Sequence, residues 1–266
     1  MSNETPPPIP ASAQAPAETS LAARLTNVFV APGEVFSEVK TSPVRHSNWI
    51  VAALIFILLS WCSAGVMMSQ ESIRHSFADM QEQAMQKKFQ KLIDEKKMTQ
   101  AQADQTIAAA SKITGVIYTV AAFVGPVVGG AIAPFLGGFI LWGVGTLIFR
   151  RPFDYLKAVE SSGLTMVVSG LGVLVKGLLC AALGTMFASP GLVLLVRPYD
   201  PTNLLHSFLL AFDFFAIWST VLSGIALAKL SEVSFVKAFA WVAAITVIIV
   251  GGMVTLGWAA QHFAPK

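Results

Sequence analysis

Long apolar runs dominate this chain, and polar stretches of very unequal length separate them. A helix needs about 20 apolar residues to cross a hydrocarbon core of about 30 Å. The first run, at 49–68, has that length and no charge. The second, from Ile113 to Phe149, would rise roughly 55 Å at about 1.5 Å per residue, too far for one crossing. Its start therefore reads as a helix arriving from outside the membrane, with the crossing at 123–148. Pro126 and Pro134 leave a re-entrant pair as the alternative. Further runs lie at 161–187, 204–228 and 235–260. The pattern predicts an all-α polytopic membrane bundle with five transmembrane helices.

Between and before these runs the periodicity changes. Leu21, Leu25, Val28 and Phe29 recur at helical spacing, Pro32 interrupts, and Val35, Phe36 and Val39 resume the stripe. Each piece is too short to span, so region 21–47 reads as two amphipathic helices lying on the membrane surface. Residues 1–20 are rich in Pro, Ala and Ser and read as a disordered tail. The 70–112 loop carries an irregular apolar stripe, Ile73, Phe77, Met80, Phe89, Leu92 and Ile93, on a polar helix. After "KKM", Thr99 followed by Gln102 has the capping-box spacing that opens a second helix. An external helical hairpin covering the bundle follows, with a docking or dimerisation surface as the alternative.

Composition agrees with the membrane reading: 55% of residues are hydrophobic and 12% charged, against roughly 25% charged in soluble domains. Lys and Arg set orientation. Arg24, Lys40 and Arg45 precede the first span; Arg150, Arg151 and Lys157 follow the second; Lys229 and Lys237 follow the fourth. These flank one face, which puts the N-terminus in the cytoplasm and the C-terminus and the 70–112 loop outside. No basic block reads as a nucleic-acid footprint. Cys62 and Cys180 sit singly in apolar runs and read as small buried hydrophobes. His46, His75, His206 and His262 are scattered, so no metal site or cofactor is expected, and no nucleophile, base and orienting group assemble into an enzyme.

Two features carry candidate chemistry. Lys176, in "GVLVKGLLC", falls about 3 Å past the midpoint of the third run. A charge at that depth costs at least about 2.5–3.5 kcal/mol and normally finds a partner. Asp213 in the fourth run comes to nearly the same depth, so an intramembrane Lys176–Asp213 pair is expected. It would serve as a packing pair or as part of a proton or ion path, and snorkelling of Lys176 is the alternative. Gly125, Gly129, Ala133 and Gly137 recur every fourth residue, a helix-packing face that would serve the bundle itself, a homodimer seam or a hinge.

"LTNVFVAPGEVFSEV" resembles the segment leading into the first span of bacterial Yip-domain (Ypt-interacting protein) family members, with a P-x-x-x-F pattern at Pro32 and Phe36. "RRPFDYLKAVESSGLTMVVSGL" is similar to the family's turn into its third span. "FDFFAIWSTVLSGIALAKLSEVSFVKAF" is the nearest likeness, with Asp213, Phe214, Phe215, Trp218, Gly224 and Lys229 at the family's acidic, aromatic, small and basic positions. The resemblance implies a five-span bundle with a cytoplasmic N-terminus, in a bacterial inner (cytoplasmic) membrane. Eukaryotic members are linked to vesicle traffic and small GTPases; for bacterial members it implies no established activity. The expected role is a non-enzymatic membrane protein organising lipids, a second copy of itself or another membrane protein. A small transporter using Lys176 and Asp213 is the rival, and a lipid-modifying membrane enzyme the third reading.

Overall fold

A computed structural model describes residues 19–263. Of the expected tail, all but Thr19 and Ser20 lies outside them. Among the described residues the helices are α1 (Leu21–Val30), α2 (Pro32–Thr41), α3 (His46–Ser69), α4 (Glu71–Asp94), α5 (Gln100–Gly143), α6 (Tyr155–Leu183), α7 (Leu204–Ala211), α8 (Phe214–Ser231) and α9 (Phe235–Phe263). A π-helical turn, Val144–Ile148, prolongs α5. Five helices are long and apolar enough to cross a membrane: α3, α5 with its π turn from Gly115, α6, α8 and α9 to Ala260.

The local signals explain the ends. Ser20 accepts from the Ala23 amide to open α1, Pro32 occupies the first turn of α2, and Asp154 accepts from the Leu156 amide to open α6. Thr99 and Gln102 form the reciprocal capping box at the start of α5. Gly184, in the left-handed conformation that suits glycine, ends α6.

α6 is the central helix, and its contact with α3 is the most extensive in the bundle. Three glycines seven apart make it: Gly163 meets Trp49, Gly170 meets Phe56 and Gly177 meets Ser63, also seven apart. The two helices therefore run parallel. A seven-residue repeat keeps one seam facing its partner with a left-handed crossing, as in coiled coils. Ser63 fastens the seam by donating to the Val173 carbonyl at 3.0 Å. α5 packs beside it, Gly138 against Val159 and Gly130 against Ile57, with Pro134 fully buried between. α8 returns along the other flank, where Gly172 meets Phe215 and Ser169 bonds Ser219 at 3.1 Å. α9 lies outermost, with Gly224 of α8 accepting Phe239.

Several expectations change. α5 runs unbroken through Pro126 and Pro134, which sets aside the re-entrant alternative for the second run and leaves its single-helix reading unchanged. The fourth run is two helices: the chain breaks at Phe212 and restarts where Asp213 accepts from the Ala216 amide, so the spanning piece is Phe214–Ser231 rather than 204–228. Cys62 is exposed and only Cys180 is buried. The α4–α5 hairpin is joined to the bundle through Ile73, buried against Cys180 and Ala188, and internally through Phe77, edge-on to Tyr118 at 4.5 Å.

Candidate functional site: a buried ion cluster beneath the N-terminal helices

α1 and α2 do not float beside the bundle. Val28, Val35, Phe36 and Val39 are buried in the main core with Leu164 and Val168 of α6 and Leu222 and Leu227 of α8. Arg24 sits in the apolar stripe of α1, between Leu21 and Val28, and so is carried inward with it; its side chain is completely buried. Its Nη2 donates to Glu38 of α2 at 2.7 Å, and its Nη1 lies 3.9 Å from Glu160 of α6.

Glu160 is the centre of the cluster and is likewise fully buried. It accepts from Asn48 Nδ2 of α3 and from the Arg45 amide at 3.4 Å, and Lys157 stands one helical turn away at 3.8 Å. Lys157 spends its ammonium on α2, donating to the Val39 carbonyl at 2.6 Å and to the Ser42 carbonyl. Those carbonyls end α2, where a cation also complements the helix dipole. Two cations and two carboxylates from α1, α2 and α6, with one amide from α3, thus join four helices at a point.

Burial pushes the Glu38 carboxyl up, but hydrogen bonds from Arg24 and Thr19 and the guanidinium charge outweigh it, holding it below the ordinary carboxylate value. A group held low stabilises the fold above its ordinary value, and that contribution is lost as pH falls through the lowered one. The melting-temperature gap between the parent and Glu38→Gln is therefore expected to be constant near about pH 7 and to close toward about pH 3. A gap that survived to the acid end would contradict this role for Glu38. At the same C-terminal end of α2, Lys40 pairs with Glu232 in the turn between α8 and α9.

The features singled out in the sequence lie elsewhere. Asp213 is buried, and its carboxylate caps α8 through the Ala216 amide at 2.9 Å. Among the described residues no ion pair joins it to Lys176, although Gly172 against Phe215 brings their helices together. Because α6 begins at Tyr155 and ends at Leu183, Lys176 falls roughly 10 Å from both its midpoint and its C-terminal end, within snorkelling range. Lys176→Ala and Asp213→Ala are accordingly expected to be additive within about 0.5 kcal/mol, Asp213→Ala alone costing about 1 kcal/mol as a lost cap. A large coupling energy in that double-mutant cycle would restore the pair.

The Gly125, Gly129, Ala133 and Gly137 stripe divides. Nothing lies within 4 Å of a Cβ built at Gly125 or Gly129, Ala133 is exposed, and only Gly137 meets a neighbour, Ser162. The α5 face that packs inside the chain is the one offset by a residue, Gly130, Pro134 and Gly138. Among the family-like positions, Pro32 starts α2, Phe36 is fully buried, Trp218 packs on the core and Gly224 admits Phe239.

The sequence reading counts Arg24 and Lys157 only as orientation charges and gives Glu160 no role. The signal that could have found them is a basic residue in the apolar stripe of α1 and an acid six residues past the cap of α6, inside the helix. Among the described residues no group of three or more His, Cys, Asp or Glu gathers in a way that could hold a metal ion. The Yip1 domain family model matches residues 26–258, which include Glu38, Asn48, Lys157 and Glu160 but not Arg24. No curated protein and no solved structure matches the chain.

Proposed function

The chain belongs to the Yip1 domain family, and from that premise we propose that it is a non-enzymatic organiser of membrane partners whose working surface is the α1–α2 pair. The observation that carries this reading is the fully buried Arg24 clasped between Glu38 and Glu160. Surface helices that only skim a bilayer need no such clasp; one is useful where a cytoplasmic surface must keep a fixed shape for another protein. The reading takes the N-terminal face as cytoplasmic, as the Lys and Arg distribution supports, and the membrane as a bacterial inner one, as the resemblance of the sequence to bacterial family members implies. Two observations weigh against the rival transporter reading: α5 is unbroken through its prolines, and the Asp213 carboxylate caps α8.

The test places a photo-crosslinking amino acid at Thr26 or Glu34, both exposed on α1–α2, in cells making two differently tagged copies. Discrete adducts containing both tags would identify a second copy as the partner; discrete adducts of one copy with another membrane protein would identify a hetero-partner. Either kind should weaken in Glu160→Gln. Adducts with lipid alone, or none, would overturn the reading.

A further inference from the structure

Between α5, α6, α8 and α9 lies a crevice of about 170 Å3, lined by Gly137, Ser162, Ser223, Ile245, Thr246 and Ile249 among others. It exists because α9 packs on α8 and α7 while α5 packs on α6, α3 and α4, so α5 and α9 share no comparable seam. Gly137 contributes no side chain to fill it. No charged residue lines it, and the Ser223 hydroxyl is already spent on the Ser219 carbonyl of its own helix at 2.9 Å.

We propose that this crevice holds one acyl chain of a bilayer phospholipid. Its α9 wall runs from Val242 to Val250, roughly 12 Å along the helix axis, so the space is elongated in the direction acyl chains take. It is continuous with surface that already faces lipid: Ile249 stands at its mouth, and Ile248 and Met253 beside it are exposed on a spanning helix. An apolar cavity of about 150 Å3 stays dry and takes up a hydrocarbon guest. A helix of a second copy, about 10 Å across, is too wide to enter.

Phospholipid with a photoactivatable group in mid-chain, in vesicles containing the full chain, tests this. Labelling at Ile245, Thr246 and Ile249 is expected to exceed that at Ile248 and Met253 several-fold. Ser223→Phe, which fills the crevice, or Ile249→Trp, which blocks its mouth should the first variant fold poorly, is expected to reduce crevice labelling to the level of Met253. Uniform labelling along α9, or labelling indifferent to both variants, would overturn the proposal. The outcome is independent of whether α1–α2 binds a partner, because the crevice shares no residue with the ion cluster.

Discussion

Gly163→Val is expected to destabilise the chain by about 3 kcal/mol or more. A Cβ at Gly163 would lie 2.2 Å from the Trp49 Cβ and 2.5 Å from its Cα. The Cα cannot rotate away as a side-chain tip could, so α3 and α6 must separate or tilt. Helix propensity acts the other way, since a glycine in a helix interior gives up about 1 kcal/mol relative to alanine. Stabilisation by Gly163→Ala would therefore mean that the seam is not packed as described. Gly125→Val is the matched control: with nothing within 4 Å, it is expected to leave thermal unfolding in detergent within about 0.5 kcal/mol of the parent. If the Gly125 variant proved the damaging one, the face with four-residue spacing would be the important contact after all.

Arg24→Met is expected to cost about 3–5 kcal/mol, the usual penalty for removing one partner of a buried pair. The loss comes mainly from Glu160, which stays fully buried, while Lys157, 3.8 Å away, is already committed to the end of α2. Arg24→Lys is expected to restore little, because an ammonium cannot span two carboxylates as the guanidinium does from Nη2 at 2.7 Å and Nη1 at 3.9 Å. Arg24→Met combined with Glu160→Gln is expected to recover a substantial part of the loss, since the second change removes the uncompensated charge. The recovery is read by thermal unfolding of the four proteins. Strict additivity would show that the two side chains act separately and that the clasp is not a unit.

What could be read from the sequence was local. The spanning runs, the paired N-terminal helices and the Thr99–Gln102 box depend on neighbours within a turn or two, and the structure contains five spanning helices, the N-terminal pair and the box, with the fourth run shortened to α8. Asp213 was misread because both flanks are apolar: hydropathy cannot tell a charge inside one helix from a cap between two. Its spacing to Ala216, three residues on, is the spacing of a cap. The packing seam was missed for a different reason. Small residues every fourth position on α5 drew attention, whereas the tight contact uses every seventh, Gly163, Gly170 and Gly177, set among other glycines on α6. The ion cluster was least legible, since Arg24, Asn48, Lys157 and Glu160 are far apart in the chain and sit at helix ends where charges ordinarily meet solvent.

Amide hydrogen exchange on the full chain in lipid, compared with Glu160→Gln, tests most directly whether α1–α2 is clasped. The account predicts that amides of α1 and α2 in the parent are protected on the scale of the bundle core, and that Glu160→Gln releases them selectively while residues 161–175 of α6 keep their protection. Rapid exchange of α1–α2 in the parent, no faster in the variant, would contradict it.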